Sequence, residues 1–373
     1  MIIGYDAKRA FKNFTGLGNY SRSLISTLSE YYPDNEYVLY TPPYKDHPEH
    51  VFAKKNNIRI VRPEGVYKTF TSSWRSFGIS KYAQRDNVKL YHGLSGELPT
   101  GLAKRNIRSI VTIHDLIFLR YPEFYKPIDR TIYKKKFYSA CKASDLIVAL
   151  SKQTRDDIIS FFGIKEEKIR LVYQGCHPQF YNTCSDEQKQ RIAQKYSLPQ
   201  KYILYVGTIE ERKNLSTVIR ALASMPKDLQ LVALGKETKY MSKVVGEVNR
   251  LGLQDRVRFI HRSSFADLPA IYQQAQVFVL PSVFEGFGIP VLEALNSRIP
   301  VITSNVSSLP EAGGPHSLYI NPTDSKELEK ALFQLLAHPE LRDSMITNGY
   351  KYAQNFREQK LAKDIWSVYQ ELM

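Results

Sequence analysis

The second half of the chain alternates short apolar runs with amphipathic segments of helical spacing. The predicted strands are 202–206, 229–234, 257–260, 277–280, 300–303 and 318–320, and the predicted helices are 214–224, 240–251, 266–274, 290–297 and 325–337. Strand–helix alternation of this kind indicates βαβ units and a parallel sheet. Several of these strands are apolar along their whole length, which is typical of a sheet covered on both faces.

The first half repeats the alternation less regularly. Its predicted strands are 2–5, 37–40, 58–61, 89–92, 109–113, 146–150 and 169–172, and a helix is predicted from about Asn19 to about Tyr31. The fold class is therefore expected to be α/β, with two Rossmann-like, doubly wound domains that face a central cleft. The predicted organisation is a first domain of residues 1–175, a linker at 176–200, a second domain of residues 201–355, and a C-terminal helix, 356–373, that crosses back to the first domain.

Length and composition narrow the class of protein. A chain of 373 residues exceeds the size at which single cores usually stop growing, so two domains are expected. The three cysteines lack zinc-site spacing, and their odd number disfavours a disulfide framework. No apolar run approaches the roughly 18 residues of a membrane-spanning helix, and the N-terminus does not resemble a signal peptide. These features predict a cytoplasmic protein. The sequence has no DxD triplet and no carboxylate/His cluster that suggests a metal, so no metal or other cofactor is expected.

Positive charge is concentrated in the first half. Residues 1–180 have a net charge of +12, whereas residues 181–373 have +3. This asymmetry suggests an anionic partner, such as a membrane surface or a phosphorylated substrate, although a generically basic protein is the alternative. The basic residues are not interleaved with aromatics as in nucleic-acid motifs, so no nucleic acid is expected. The run Lys134–Lys136, in a predicted helix, makes peripheral contact with an anionic membrane a candidate role.

Two motifs follow predicted strands of the second half, where open parallel sheets bind ligands. The first is GTIEERKN, residues 207–214. Gly207 permits a close backbone approach, and Arg212 with Lys213 would suit a diphosphate. The alternative is a solvated pair of cations at the start of a helix, where the macrodipole disfavours positive charge.

The second motif, PSVFEGFGIPVLEA, contains two glutamates eight positions apart. Pro290 suits the first position of a helix and favours an extended Ile289, so the helix is predicted to begin at 290. Glu285 is then expected in the loop and Glu293 one turn into the helix. The two carboxylates therefore do not share a helix face.

Glycines and free backbone N–H groups surround these glutamates. Gly286 and Gly288 permit positive φ and a close approach, and the N–H groups of about 287–290 are expected to face an anion such as phosphate. Carboxylates bind vicinal hydroxyls, so Glu285 and Glu293 are interpreted as contacts to two different sugars, one of them a ribose. The alternative for Glu293 is simple stabilisation of the helix N-terminus.

Weaker signals lie in the first half. Gly16 and Gly18 precede a predicted helix, which is a weak signal by itself. His114 follows a predicted strand, which favours a functional role over the structural role of most lone histidines. His47 and His50 are predicted to lie on the surface, in a polar loop.

The chain resembles the retaining glycosyltransferases of family 4, which have the GT-B fold of two Rossmann-like domains. The segments that carry the resemblance span nearly the whole chain: YDAKRAFKNFTGLGNYSRSL, TIHDLIFLRYPEFY, ASDLIVALSKQTRDDI, IRLVYQG, VGTIEERKNL, LPSVFEGFGIPVLEAL and NVSSLPEA. EGFGIPVLE matches the E-x7-E motif of the family. The subgroup most similar to this chain transfers mannose or related hexoses to lipid-linked or surface-polysaccharide acceptors.

The resemblance implies roles for individual residues. Carried over by motif position, the donor-binding residues are Gly16, Gly18, Gly207, Thr208, Arg212, Lys213, Glu285, Gly286, Phe287, Gly288, Ile289 and Glu293, and the catalytic residues are His114, Glu285, Lys213 and Arg212. The donor is expected to be a GDP- or UDP-linked sugar, and the first domain is expected to bind a saccharide or lipid-linked acceptor. Transfer is expected to retain the anomeric configuration without a metal, at or near the inner face of a membrane.

Three features depart from the family pattern. Many members have Arg where this chain has Thr208, so Arg212 and Lys213 would carry more of the donor charge. Arg298 lies where a glycine is common before the next strand. Residues 260–263 replace a turn that commonly contains glycine near the base, which leaves GDP and UDP both open.

Other functions that share this architecture remain alternatives. A nucleotide-sugar epimerase would need an acid/base set, for which the sequence offers His114 alone. A non-catalytic nucleotide-sugar-binding protein would keep the fold and the donor site. A dinucleotide-binding oxidoreductase is disfavoured, because GLGNYS lacks the third glycine of the fingerprint and does not directly follow the first strand.

Overall fold

The structure is a computed structural model that describes all 373 residues. The chain forms two compact units: unit 1 contains Met1–Gln174 and Glu358–Met373, and unit 2 contains Gly175–Arg357. Each unit has one sheet, of seven and six strands respectively, and all the strand pairs are parallel. The predicted α/β class with two doubly wound sheets is confirmed.

Unit 1 contains every strand predicted in the first half. The strands are β1 (Ile2–Asp6), β2 (Glu36–Tyr40), β3 (Ile58–Val61), β4 (Leu90–Gly93), β5 (Arg108–Ile113), β6 (Leu146–Ala149) and β7 (Ile169–Leu171). Their spatial order is β3-β2-β1-β4-β5-β6-β7. The sheet therefore grows outward in both directions from the neighbouring strands β1 and β4.

Helices cover both faces of this sheet. They are α1 (Lys8–Lys12), α2 (Gly16–Tyr31), α3 (Thr71–Ser73), α4 (Ile79–Arg85), α5 (Ile117–Arg120), α6 (Pro127–Ala143) and α7 (Lys152–Phe162). A π-helical turn, Trp74–Gly78, joins α3 to α4. No helix of the chain combines the length and the apolar character needed to cross a bilayer.

Unit 2 repeats the plan with six strands. They are β8 (Tyr202–Val206), β9 (Gln230–Leu234), β10 (Val257–Ile260), β11 (Val277–Leu280), β12 (Val301–Ser304) and β13 (Leu318–Ile320), in the spatial order β10-β9-β8-β11-β12-β13. Its helices are α8 (Asp186–Tyr196), α9 (Leu215–Leu222), α10 (Met241–Arg250), α11 (Leu268–Gln273), α12 (Ile289–Asn296), α13 (Leu309–Gly313), α14 (Ser325–Ala337) and α15 (Pro339–Ala353). The sequence patterns predict the six strands and miss α13 and α15.

The last helix, α16 (Glu358–Gln370), belongs to unit 1. Its fully buried Tyr369 meets Tyr5 of β1, with the two hydroxyl oxygens 3.1 Å apart, and its oxygen lies 2.7 Å from Nδ1 of His92. Because apolar residues of α16 and α2 enter the same core cluster, the C-terminus completes the first unit.

Residues 176–200, predicted to be a linker, are part of unit 2. Phe180 is fully buried, and Lys195 of α8 forms an ion pair with Asp267 at 2.6 Å. Tyr196 also donates a hydrogen bond to Asp267, at 2.8 Å. The polar composition of this segment is typical of a linker, but a few apolar and charged side chains pack it against the rest of unit 2.

The prediction that His50 lies on the surface is wrong. His50 is buried, its Nε2 lies 3.1 Å from the carbonyl oxygen of Phe11, and its ring packs edge-on against Phe11 and Tyr44. A short 3-10 helix, Pro48–Lys54, turns it inward, whereas His47 stays exposed. His47 caps this helix from outside, where its Nδ1 accepts the N–H of Glu49 at 3.2 Å, whereas His50 lies within the helix and is buried.

Candidate active site

Two loops meet at the carboxyl ends of β8 and β11, where the strand order of the second sheet reverses. Such a switch point is where open α/β sheets bind ligands. The loop after β8 carries Arg212 and Lys213 in a 3-10 turn, Glu211–Lys213. The N–H of Val283, in the loop after β11, donates to the Arg212 carbonyl at 2.9 Å and ties the loops together. The structure therefore brings the two sequence motifs side by side.

Glu285 forms ion pairs with both cations where the two loops meet. Lys213 Nζ lies 2.9 Å from Glu285 Oε1, and Arg212 Nη1 lies 3.0 Å from Oε2. The Ser282 hydroxyl also donates to Oε1, at 2.8 Å. Burial raises the pKa of Glu285, but Arg212 and then Lys213 more than offset this and bring it down to about 2. Glu285 is therefore a carboxylate at every physiological pH.

The two cations are not solvated. The side chains of Arg212 and Lys213 are only 15% and 12% exposed. Arg212 also pairs with Glu210, at 2.6 Å, and donates to the carbonyl oxygen of Phe284. The sequence alternative of two cations on a solvated helix start is therefore wrong, because both side chains turn inward onto Glu285.

Glycines shape the backbone on both sides of this ion pair. Gly207 has a φ of +155°, and a Cβ there would lie 2.9 Å from Lys213 Cδ, so glycine makes room for the folded lysine. Gly288 has a φ of +115° and caps α12 in a left-handed conformation. Thr208 and Gly286 are half-buried in the same two loops.

Helix α12 begins one residue earlier than predicted. Ile289 is its first residue and Pro290 its second, so the expectation of an extended Ile289 is wrong. The chain reverses at Gly288, and the helix starts immediately after it. Proline fits the second position because the N–H groups of the first turn have no partner within the helix.

Glu293 occupies a different environment from Glu285. It is buried in α12, and its Oε2 accepts a hydrogen bond of 2.8 Å from the Tyr272 hydroxyl. Burial raises the pKa of Glu293 to about 7, against the opposing effects of Tyr272 and Lys213. Glu293 lies beyond the first turn, where the helix macrodipole has faded, so stabilisation of the N-terminus does not account for it. At neutral pH Glu285 is therefore ionised, whereas burial keeps a substantial fraction of Glu293 protonated.

Two serines position the loop that carries Glu285. Ser307 Oγ accepts the N–H of Glu285 at 3.1 Å, and Ser308 Oγ donates to the carbonyls of Glu285 and Phe287 at 2.8 and 3.0 Å. The sequence patterns identify neither serine as part of the site, nor Tyr272. Both serines follow β12. The rule that ligands bind at the carboxyl ends of parallel strands could therefore have identified them.

His114 lies at the carboxyl end of β5 in unit 1. Its Nε2 lies 2.9 Å from the Leu94 carbonyl oxygen, and its ring meets the edge of Tyr20. Burial lowers the pKa of His114 to about 4, although the Leu94 hydrogen bond opposes this. The ring is therefore neutral at pH 7. Because a carbonyl only accepts, the proton is assigned to Nε2, and Nδ1 carries a lone pair.

Gly16 and Gly18 lie within the first turn of α2, and the prediction that they precede the helix is wrong. A Cβ on Gly18 would lie 1.7 Å from the Asn13 carbonyl oxygen, whereas a Cβ on Gly16 would meet nothing within 4 Å. Close packing against Asn13 therefore explains Gly18 without a ligand. Gly16 alone faces open space.

Arg298, at a position where glycine is common in the family pattern, has a backbone conformation that favours glycine. Its φ is +57°, in the left-handed region. Its guanidinium stacks over Tyr350 at 4.4 Å, and Nη1 lies 2.6 Å from Thr183 Oγ1. These contacts help hold the unusual backbone at the turn before β12.

No set of three or more His, Cys, Asp or Glu side chains is arranged to hold a metal ion. The ionised side chains of the site form cation–carboxylate pairs instead. Such an arrangement can exchange partners with an anionic, hydroxyl-rich ligand, because phosphate competes for the cations and hydroxyls compete for the carboxylates.

Two sequence profiles together match most of the chain. The profile described as "Glycosyltransferase Family 4" matches residues 14–180, and that described as "Glycosyl transferases group 1" matches residues 186–352. The boundary between them falls near the start of unit 2.

Curated relatives and solved structures agree with these matches. O-antigen chain mannosyltransferase B of Escherichia coli is 31% identical over 273 residues, which cover 72% of this chain and 70% of that protein. The serotype-specific mannosyltransferase WbdA of the same species is 28% identical over 281 residues, or 71% of this chain and 34% of the larger relative. A crystal structure of Anabaena HepE with UDP and glucose covers both chains fully, with a TM-score of 0.78 at 16% identity. Such low identity establishes similarity of fold alone.

Proposed function

The chain belongs to the glycosyltransferases of family 4 and group 1, and from this premise we propose that it transfers a mannose-like hexosyl group from a nucleotide-diphosphate sugar to a saccharide acceptor. The proposed acceptor is a growing, free or lipid-linked, surface polysaccharide. The O-antigen mannosyltransferases among its relatives support both the sugar and this class of acceptor. Retention of the anomeric configuration is part of the proposal.

The observation that carries the proposal is the buried ion pair between Lys213 and Glu285 at the switch point of the second sheet. In the absence of a donor, Glu285 forms ion pairs with both Lys213 and Arg212. A nucleotide sugar offers each partner a replacement: its diphosphate attracts the two cations, and its hexose hydroxyls donate to Glu285. The exchange costs little desolvation, because these side chains are already largely removed from water.

The same side chains would assist departure of the nucleotide. Negative charge grows on the diphosphate as the bond to the sugar breaks, and fixed cations stabilise charge that develops in the transition state. Gly207, Thr208 and Gly286 would give the donor access to the loop backbones. The backbone of Phe287, Gly288 and Ile289 would meet phosphate and sugar, with no metal required.

Glu293 is proposed to hold the ribose of the nucleotide. Two hydroxyls would donate to its carboxylate, which favours the ionised form and so lowers the pKa of Glu293 on binding. Gly16 is also proposed to contact the diphosphate. His114, a neutral ring whose Nδ1 carries a lone pair, is proposed to accept a hydrogen bond from a hydroxyl of the transferred sugar.

The donor base is tested by a thermal-shift series with GDP-mannose, UDP-glucose, UDP-galactose and UDP-N-acetylglucosamine, followed by product analysis with an oligomannoside acceptor. The outcomes separate the candidate functions. Transfer supports the proposal, an epimerised sugar nucleotide without acceptor would identify the epimerase alternative, and binding without transfer or hydrolysis would leave only a binding protein.

Peripheral contact with an anionic membrane is also proposed, through α6. Ile128 is 69% and Ile132 47% exposed, and the adjacent Lys134 and Lys135 are exposed too. Lys136 is different, because its Nζ pairs with Glu97 at 3.2 Å. Exposed apolar and cationic side chains on one helix suit the interface of an anionic leaflet.

A further inference from the structure

One buried arginine holds the turn that joins α1 to α2 in unit 1. Arg22, in the second turn of α2, is 6% exposed. Its Nη1 donates to the carbonyl oxygens of Ala10 and Asn13, at 2.9 and 2.8 Å. Both carbonyls belong to the end of α1, where carbonyls lack partners within the helix and often accept from arginine. Arg22 therefore caps α1 from the following helix and fixes the turn between them.

Asn13 transmits this constraint to the start of α2. Its Oδ1 accepts the N–H groups of Thr15 and Gly18, at 2.9 and 3.1 Å. A Cβ on Gly18 would lie 1.7 Å from the Asn13 carbonyl oxygen, the atom to which Arg22 donates. The turn is therefore packed tightly around a single residue that Arg22 holds in place. Between Thr15 and Gly18 lies Gly16, whose N–H has no acceptor within the helix.

The fold alone does not require a cation at this position. Arg22 pairs with one carboxylate, Glu49, whose Oε2 lies 3.5 Å from its Nε and whose side chain is 41% exposed. Burial lowers the pKa of Arg22, and Glu49 offsets this only in part. A buried charge with such incomplete compensation costs stability, and apolar side chains often replace buried ion pairs without loss. What an apolar side chain cannot do is donate to the carbonyl oxygens of the turn.

We propose that Arg22 is a positioning residue for the donor: by fixing the turn before α2, it holds the backbone of Gly16 where the diphosphate contacts it. Arg22 is buried and acts through Asn13, without touching the donor. This role rests on the proposed function, in which Gly16 contacts the diphosphate. The planar guanidinium donates in fixed directions, so it sets the geometry of the turn as well as adding a charge.

Hydrogen exchange of the full chain, followed by mass spectrometry, tests the positioning step without any turnover. Arg22→Met removes the hydrogen bonds but keeps an unbranched side chain. We expect the backbone amides of residues 11–19 to exchange about ten-fold faster in the variant, and those of the strands to exchange as in the wild type. Unchanged exchange at 11–19 would show that Arg22 does not fix the turn.

Calorimetry with GDP and UDP tests the effect on binding. Arg22→Met should weaken binding of the nucleotide that the wild type binds by about ten-fold, as the loss of one hydrogen bond to a charged phosphate implies. If Arg22 acts through the turn, the effects of Arg22→Met and Gly16→Ala should not add, and the double variant should bind as weakly as the weaker single variant. Additive losses, or full affinity in Gly16→Ala, would overturn the positioning role.

Arg22→Lys separates geometry from charge, and it replaces Arg22→Met in both measurements if that variant does not fold. It keeps the cation but loses the planar fork of donors. Its nucleotide affinity and the protection of residues 11–19 should therefore both fall below those of the wild type. Full affinity in Arg22→Lys with an unprotected turn would show that the charge acts alone and would overturn the positioning role.

Arg256→Met is the matched control. Arg256 also donates to carbonyl oxygens of a turn, those of Met225, Pro226 and Leu229, but at the amino-terminal edge of the second sheet. It should leave nucleotide affinity unchanged, and a loss equal to that of Arg22→Met would mean that the effect is not specific to the turn before α2. Nucleotide binding that Arg22→Met leaves unchanged would contradict the positioning role alone. Binding of neither nucleotide by the wild type would contradict the proposed function itself.

Discussion

Lys213 and Glu285 form a buried ion pair, Nζ to Oε1 2.9 Å, across two loops that are 72 residues apart in sequence. Loss of the cation should therefore affect both donor binding and the fold. We expect Lys213→Met to weaken binding of GDP or UDP by at least about ten-fold, because a direct contact to the diphosphate is lost. It should also lower the free energy of unfolding by roughly 2–3 kcal/mol, because Glu285 stays buried with Arg212 as its remaining cation.

Calorimetry and urea denaturation check these two effects separately. Lys201→Met is the matched control, because Lys201 directly precedes β8 and pairs with Asp228 on the exposed opposite edge of the sheet. It should change neither quantity by much. Adding Glu285→Gln to Lys213→Met should recover much of the lost stability and none of the affinity. If Lys213→Met binds the nucleotide as tightly as the wild type does, Lys213 is not part of the donor site.

Burial of Glu293 should make the protein less stable as the pH rises, which is the opposite of the usual effect of a carboxylate. Its pKa rises from 4.5 to about 7 because burial disfavours the charge. Folding therefore favours the protonated carboxyl, whose stabilising contribution is complete below pH 4.5 and is lost as the pH rises through about 7. At pH 8 the ionised Glu293 costs roughly 3 kcal/mol.

Glu293→Gln should remove this cost while keeping an acceptor for the Tyr272 hydroxyl. We expect the variant to be more stable than the wild type at pH 8 and close to it at pH 4.5, in denaturant titrations at both values. Its nucleotide affinity should be lower, and should lack the increase between pH 6 and 8 that ionisation of Glu293 gives the wild type. Parallel stability profiles of the two proteins would show that Glu293 does not titrate near neutrality.

Most of the fold could be predicted from the sequence, because the strands of both sheets are buried on two faces and appear as short apolar runs. The rule that ligands bind at the ends of parallel strands also identifies the two loops of the candidate site. The sequence could not predict which side chains of the site contact one another. The contact of Arg212 with Glu285 depends on how β8 and β11 align, and the contact of Tyr272 with Glu293 joins two different helices. His50 was misjudged because local polarity does not reveal which way a 3-10 turn faces.

The two glycines at the start of α2 allow a structural role to be separated from a functional one. Gly18→Ala should destabilise unit 1 strongly, because the added methyl group would lie 1.7 Å from the Asn13 carbonyl oxygen. Gly16→Ala should leave stability unchanged or raise it by up to about 1 kcal/mol, because alanine is the better helix former and nothing lies nearby. Thermal unfolding measures both effects.

Gly16 should still matter for the donor if the backbone there approaches a diphosphate. We expect Gly16→Ala to keep its fold but to lose affinity for the nucleotide sugar, as measured by calorimetry. Gly16→Ala with full donor affinity would leave the glycine without a role in binding. A fully stable Gly18→Ala would contradict the packing of α2 against Asn13.

If α6 contacts a membrane, removing its positive charges and removing its apolar side chains should each weaken binding to vesicles. Lys134→Gln with Lys135→Gln should reduce flotation with vesicles that contain anionic phosphatidylglycerol, by up to about 1 kcal/mol of binding free energy per lysine. Ile128→Ser with Ile132→Ser should reduce it at high salt as well, because insertion of apolar side chains is not screened. Lys136→Gln is the matched control, because that lysine is engaged with Glu97 and should contribute less to flotation than its two neighbours. Equal flotation of the wild type and both double variants would exclude α6 as the membrane-binding surface, and equal losses from all three lysines would indicate only a diffuse positive field.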